Sequence, residues 1–366
     1  MKNDLLNFTQ NELSDEIEKY GFEKYRAVQI FNSLHGKFAG GINSIKGIPL
    51  KLKELLVENF YADVPEIENV SVSETSGTEK FLFSFSEKKI FTESVLIAGK
   101  KRTAICVSSQ EGCSIGCVFC ATGQMNYGRN LSAGQIVSQI YAVARYTGAK
   151  PANIVFMGMG EPLLNLDNVV KSLKILTDDN GLGIASGRIT VSTVGLINKI
   201  KMFADLITSQ ENRKIRNTKL AFSLQTTDNG RREKLIPAAK YNRLDGIYKE
   251  LIYFYRKTGT KITYEYIFLP GFNNAENDIK RLSKLSYMIP CNINVIRFHP
   301  VKIKKENIMS DIINNNPEFY KESYYNKELK DFIEKLKSLK VTVNLRESSG
   351  IDINAACGQL AAKRKE

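Results

Sequence analysis

The chain has 366 residues, 43% hydrophobic and 25% charged, with a formal net charge of +13 at neutral pH. That length allows two domains and a sizeable core, and the balance suits a soluble globular protein rather than a disordered or fibrous one. Six cysteines in so long a chain are no disulfide framework, and no apolar run approaches a membrane span. The start, Met-Lys-Asn-Asp-Leu-Leu-Asn, lacks the apolar core of a signal peptide, so the expectation is a cytoplasmic protein with no membrane partner. Lys and Arg cluster at Lys100–Arg102, Arg213–Lys219, Lys302–Lys305 and Lys363–Lys365. Such an excess suits a polyanionic partner, and equally a solvated lysine-rich surface.

Residues 1–95 read as an accessory unit. Helices are expected at Asn11–Tyr20, at Glu23–Phe38, with Ala27, Ile30, Phe31 and Leu34 on one face, and at Pro49–Phe60. Glu79–Ser86 alternates, with Phe81, Phe83 and Phe85 on one side, and Glu87–Lys88 can turn it into a second strand, Lys89–Ile97. From residue 96 to 346 strand-like and helix-like stretches alternate. The strands are Thr103–Ser109, Asn153–Met157, Arg188–Thr193, Lys219–Leu224, Lys261–Phe268, Ile293–Phe298 and Val341–Leu345. The clearest helix, Ser132–Tyr146, opens with an S-x-x-Q capping box and stops at Gly148. Strands separated by single helices make right-handed βαβ units, so the fold class is α/β, a full or partial parallel barrel. Chemistry in such barrels gathers at the C-terminal ends of the strands. Residues 347–366 form a separate C-terminal segment.

The chemistry-bearing stretch runs from Cys106 to Gly123. Cys113, Cys117 and Cys120 stand at C-x3-C-x2-C spacing just after a strand, with Gly112 and Gly116 easing a loop tight enough to aim three sulfurs at one point. Three thiolates are one short of a closed zinc site and suit a 4Fe–4S cluster with one iron open for a ligand such as S-adenosylmethionine. A zinc knuckle completed by Cys106 or His299 is the competing reading. Gly158-Met159-Gly160-Glu161-Pro162 follows the next strand, where glycines let the backbone approach a ligand and Glu161 can accept from an ammonium group. Ser192, Ser223 and Gln225 sit at the next two strand ends. Cys357 lies in Ala-Ala-Cys-Gly-Gln-Leu near the C-terminus; alone, Cys106, Cys291 and Cys357 read as small buried hydrophobes.

The phrases Glu93-Ser-Val-Leu-Ile, Cys106-Val-Ser-Ser-Gln, Cys113 to Gly123, Met157 to Asn165 and Asp352 to Leu360 resemble the RlmN/Cfr family of radical-SAM methyltransferases. The likeness covers nearly the whole chain. It implies a radical-SAM partial (β/α)6-type barrel with a small N-terminal helical domain and hairpin. It implies a cluster on Cys113, Cys117 and Cys120, and S-adenosylmethionine held by Gly160, Glu161, Ser192, Ser223, Gln225 and His299. Here Gln225 stands where the family usually has His, and His299 where it has Asn. The implied reaction methylates C2 of adenosine 2503 in 23S ribosomal RNA, before or during ribosome assembly, with adenosine 37 of transfer RNA a second target in some members. Cys357 would take a methyl group from one S-adenosylmethionine, and a radical from a second would remove a hydrogen from that methyl. The carbon radical would add to the adenine, Glu93 would remove the ring proton, and Cys106 would release the product as a Cys106–Cys357 disulfide. The resemblance also implies an electron donor such as flavodoxin, a disulfide reductant and a monomer. Without the family, Glu93 would be an exposed strand glutamate. The alternatives are a C8-specific Cfr-like enzyme, a diverged radical-SAM enzyme with another RNA or protein substrate, and a non-catalytic, zinc-stabilised RNA-binding protein.

Overall fold

The computed structural model describes residues 2–85, 90–99, 102–299, 308–314 and 322–362. The expected turn at Glu87–Lys88 and the basic residues Lys100, Lys101, Lys302–Lys305 and Lys363–Lys365 lie outside these.

Three helices open the chain: α1 (Gln10–Lys19), α2 (Lys24–Phe31) and α3 (Leu50–Asn59). The second ends at Phe31, short of the expected Phe38, and Asn32–Gly36 continue as a π-helical turn. That wider turn puts buried His35 against Tyr141, with Nδ1 2.9 Å from the phenol oxygen and the Phe31 ring 4.3 Å away, far from the cysteines' loop.

Ten strands then form one sheet whose spatial order is their order in sequence. The first three, β1 (Glu66–Val72), β2 (Glu79–Phe85) and β3 (Ile90–Ile97), are antiparallel. The strand β4 (Ala104–Cys106) runs antiparallel to β3 and parallel to β5 (Asn153–Phe156). Parallel pairing continues through β6 (Ile189–Thr193), β7 (Lys219–Ser223), β8 (Ile262–Phe268), β9 (Cys291–Arg297) and β10 (Val343–Arg346). Both β1 and β10 are edges, so the barrel is partial. The connections carry α4 (Ala133–Thr147), α5 (Leu166–Thr177), α6 (Lys199–Thr208), α7 (Asn229–Leu235), α8 (Leu244–Thr258), α9 (Glu276–Met288), α10 (Ile308–Asn314) and α11 (Glu322–Ser338). The capping box at Ser132 and Gln135 is formed, with bonds of 3.1 and 3.0 Å, and Gly148 adopts φ +70° past the helix end. One apolar core runs from Leu5 and Phe31 through Ile136 and Leu173 to Val295, so the N-terminal helices share it with the barrel.

Sequence pattern missed β1 because its alternation is diluted by Glu66, Glu68 and Asn69 and broken by a register shift between Ile67 and Asn69, both common devices of an exposed sheet edge. It also made the strand at Thr103–Ser109 too long. Beyond Cys106 the ladder stops, because Ser108, Ser109 and Gln110 bond to loop and helix partners. The Ser109 amide donates to the Met159 carbonyl (2.9 Å), and Gln139 brackets Ser108 through its amide (3.0 Å) and its carbonyl (3.0 Å). Met157, Arg188, Leu224 and Phe298 likewise fall just outside their strands, and the last strand runs from Val343 instead of Val341.

The N-terminal segment carries a pH-dependent contact. Asp4 is buried and accepts from the amides of Leu6 (3.0 Å) and Asp63 (3.1 Å), while Asp63 accepts from Gln135 of α4 (2.8 Å). Desolvation pushes the Asp4 carboxyl up to about 7. A carboxyl whose folded pKa is raised stabilises the fold while protonated, and that contribution is lost as pH rises through the folded value. Asp4 should therefore contribute a fall in stability on the order of 2 kcal/mol between pH 5 and pH 8, measured by urea unfolding, and Asp4→Asn should remove that part of the fall.

Candidate active site

The C-terminal ends of all the parallel strands after β4 meet at one pocket, whose wall includes Phe156, Ser192, Ser223, Ile267, Ile296 and Arg346. Its floor is the loop after β4. Gly112 (φ +81°) and Gly116 (φ +73°) let this loop double back, and the Val118 amide, donating to the Leu235 carbonyl (3.0 Å), fixes it on α7. Cys113, Cys117 and Cys120 all line the pocket. Burial pushes the Cys113 thiol up to about 12 and the other two upward as well, and like charge adds to it, from Cys120 on Cys113, from Cys113 and Cys120 on Cys117, and from Cys357 on Cys120. Three half-buried thiols resisting ionisation together need a bound cation to hold them as thiolates. Arg232 gives a second indication. It is 1% exposed and lies close enough to Cys117 for their charges to interact, and its Nη1 has no hydrogen-bond partner. An anionic cluster on Cys117 would satisfy that orphaned donor.

The turn after β5 closes one side. Gly160 has φ +101°, and a Cβ there would stand 2.6 Å from the Gln110 Cβ, so only glycine lets the turn lie on the cysteine loop. The Gln110 side chain accepts from the Glu161 amide (2.8 Å), joining the two motifs directly. Glu161 is buried, and desolvation pushes its carboxyl up to about 7. Its two oxygens accept from the amides of Leu163 (3.0 Å) and Val194 (2.8 Å), so it also ties the β5 turn to the end of β6. Ser192, Ser223, Gln225 and His299 line the opposite wall. Gln225 takes φ +60° and spends its side-chain oxygen on the Ile267 amide (2.8 Å), while Asn273 donates to its carbonyl (2.7 Å). Burial and neighbouring Arg297 lower the pKa of His299, whose Nε2 is buried without a partner.

The C-terminal segment brings Cys357 to the same pocket. It is anchored on the cysteine loop by the Ala121 amide to the Gly358 carbonyl (2.6 Å) and the Thr122 hydroxyl to the Leu360 carbonyl (2.6 Å), leaving Cys357 exposed. Cys106 lies beneath, in an apolar cluster with Val95, Met159, Ala355 and Leu360. Burial raises its thiol to about 12, with Cys357 adding to the shift and Arg346 opposing it. All six cysteines are free thiols, and Cys291 is buried at the start of β9, at the opposite end of the barrel. Nothing in the local sequence singles out Arg346 or Glu265. The pair meets at 3.6 Å on the pocket wall, Glu265 accepts from Asn294 (3.0 Å), and the Arg346 guanidinium is charge-coupled to both Cys357 and Cys106. Glu93 does not line the pocket. Nor is it exposed, as it would be on the strand alone: it is 5% exposed, covered by the C-terminal segment, whose Ala361 amide donates to its Oε2 (2.8 Å).

The comparisons with known proteins bear on this arrangement. The profile of the Radical SAM superfamily matches residues 107–282. A probable dual-specificity RNA methyltransferase RlmN of Clostridium novyi is 38% identical over 360 residues, 98% of each chain. The chain belongs to the RlmN/Cfr family. A second RlmN, from Thermosipho melanesiensis, is 36% identical over 368 residues, covering 100% of this chain and 99% of its own. Among solved structures, a radical SAM methyltransferase from Sphaerobacter thermophilus superposes with a TM-score of 0.84 at 30% identity, over 98% of this chain and 99% of that one. The protein is therefore an S-adenosylmethionine-dependent radical RNA methyltransferase, and its fold is the radical-SAM α/β fold expected from the sequence. Membership carries with it a 4Fe–4S cluster and S-adenosylmethionine, which three half-buried thiols, the orphaned Arg232 donor and the polar residues of the pocket wall fit. None of the described helices is long and apolar enough to cross a membrane.

Proposed function

We propose that this chain methylates C2 of an adenosine in large-subunit ribosomal RNA, adenosine 2503, through a methyl carried on Cys357. Adenosine 37 of transfer RNA is a second target, as the dual-specificity names of its relatives suggest. The observation that carries the reading is the approach of two free cysteines from distant parts of the chain: Cys357 lines the cysteine-loop pocket, Cys106 lies in the apolar cluster beneath it, and each is charge-coupled to the other and to Arg346. A cluster and S-adenosylmethionine, when bound, would supply the carbon radical that an unactivated ring carbon requires. Cys113, Cys117 and Cys120 would hold the cluster. Gly160, Glu161, Ser192, Ser223, Gln225 and His299 would hold S-adenosylmethionine, Glu161 having lone pairs left after its two backbone bonds. Exposed Cys357 presents its sulfur to the pocket, as a methyl acceptor and carrier must. Buried Cys106, charge-coupled to it, would attack that sulfur to form a disulfide and free the product. Glu93 takes up the ring proton. The net charge of +13 suits an RNA partner. An electron donor such as flavodoxin, a disulfide reductant and a cytoplasmic setting complete the proposal, with the chain working as a monomer.

The test is mass spectrometry of the tryptic peptide 347–363 from protein expressed anaerobically with a full cluster. One added methyl on Cys357 is expected, absent when Cys113 is replaced by alanine. An unmodified Cys357 in fully loaded protein would sink the carrier role. Methylated RNA digested to nucleosides then separates C2 from C8.

A further inference from the structure

Glu93 and Lys80 belong to neighbouring strands of the antiparallel hairpin. The register pairs Leu82 with Glu93 and Lys80 with Val95, so Lys80 and Glu93 are diagonal neighbours on one face. That face is turned away from Phe81 and Phe83 and is covered by the C-terminal segment. Lys80 Nζ stands 3.4 Å from Glu93 Oε1 and donates to the Asn354 carbonyl at 3.3 Å, with the Lys80 side chain only 15% exposed. The other Glu93 oxygen accepts from Ala361 (2.8 Å). One ammonium thus fastens the carboxylate on β3 and the backbone three residues before Cys357. Two further bonds from the β1–β2 turn clasp the same segment, the Ser73 hydroxyl (2.8 Å) and the Glu74 amide (3.0 Å) both donating to Asp352.

We propose that Lys80 is a positioning residue for the proton-transfer step: it aims the Glu93 carboxylate and holds the Cys357 segment in register with it. This rests on the reading that Glu93 receives the ring proton once the carrier methylene joins Cys357 sulfur to the ring carbon. In that step the ring C–H bond breaks, its proton goes to a Glu93 oxygen and its electron pair stays in the ring. Lys80 acts only through the Glu93 carboxylate and is given no contact with the adduct itself. Its removal leaves both carboxylate oxygens dependent on the single Ala361 bond and lets the carboxylate swing out of reach of the adduct.

The experiment uses full-length, cluster-loaded protein with a transcript of the peptidyl-transferase loop of 23S ribosomal RNA. Covalent enzyme–RNA adduct is followed on denaturing gels for wild type, Lys80→Met, Lys80→Arg and Glu93→Gln. Lys80→Met is expected to resolve the adduct roughly tenfold more slowly, a fraction of the 10²–10⁴ that a positioned base contributes, with Lys80→Arg restoring most of the rate. Hydrogen exchange of protein without cluster is the second readout. The Ala361 amide should exchange faster in the methionine variant and at the wild-type rate in the arginine variant. Adduct resolved by Lys80→Met at the wild-type rate, or unchanged exchange at Ala361, would overturn the role of Lys80. If Glu93→Gln builds up no adduct, the Glu93 reading itself fails; build-up in Glu93→Gln but not in Lys80→Met removes Lys80 alone.

Discussion

Protein in which Cys357 is replaced by alanine should bind as much iron as wild type and methylate no RNA at all. The two halves of that result come from different parts of the structure. Iron is expected to depend on Cys113, Cys117 and Cys120, whose loop is shaped by Gly112 and Gly116 and fixed to α7 through Leu235. Cys357 arrives from the C-terminal segment, whose anchors on the loop are backbone groups of Gly358 and Leu360 that the substitution leaves in place. The thiol itself is exposed and packs against little, so its loss costs the fold almost nothing. Iron and sulfide analysis, read beside transfer of label from methyl-labelled S-adenosylmethionine to RNA, checks both halves. Residual RNA methylation at even one per cent would rule out an obligatory carrier. Loss of iron would show that Cys357 belongs with the three loop cysteines.

The second large effect is expected from Arg232→Met. The Arg232 guanidinium is fully buried over the Phe222 ring, 5.2 Å from its centroid, and donates to the carbonyls of Val194, Leu224 and Ser223 at the ends of β6 and β7. Methionine of similar length fills the space and leaves those acceptors with no donor where water does not reach, which should cost about 3–5 kcal/mol. Urea unfolding of the two proteins without cluster measures it. Arg232 also eases the ionisation of Cys117, which the charges of Cys113, Cys120 and Glu161 oppose. Reconstituted Arg232→Met should therefore hold less iron, even at a urea concentration far below its midpoint. Full iron retention would leave Arg232 with a purely structural part.

Much of the site was legible in the sequence because its parts are local. Cysteine spacing, the glycines around it and the turn after the next strand each occupy a few adjacent residues, and backbone geometry alone limits what they can form. The parallel order of the barrel was legible for the same reason, each strand being followed by its own helix, and so was the capping box that starts α4. Edge strand β1 was not, since charged residues that protect a sheet edge also erase the alternation by which strands are seen. The shortened β4 escaped as well, because its serines and glutamine look strand-compatible until their partners on α4 and at Met159 are known.

The charged residues around Cys106 and Cys357 are a different matter. Lys80 and Arg346 look like any of the 52 basic residues of the chain, and nothing near them in sequence marks them out. Each gains its place from a juxtaposition that spans the chain: Lys80 meets Asn354, and Arg346 meets Glu265. Glu93 is exposed on the strand alone and buried in the protein because Ala361, 268 positions later, covers it. Sequence by itself determined the chemistry, since the thiol spacing and the glycine turns are properties of short segments. Tertiary structure decided which charges attend that chemistry, because burial and charge pairing depend on distance in space, and only the folded sheet brings the hairpin, the last strand and the C-terminal segment together.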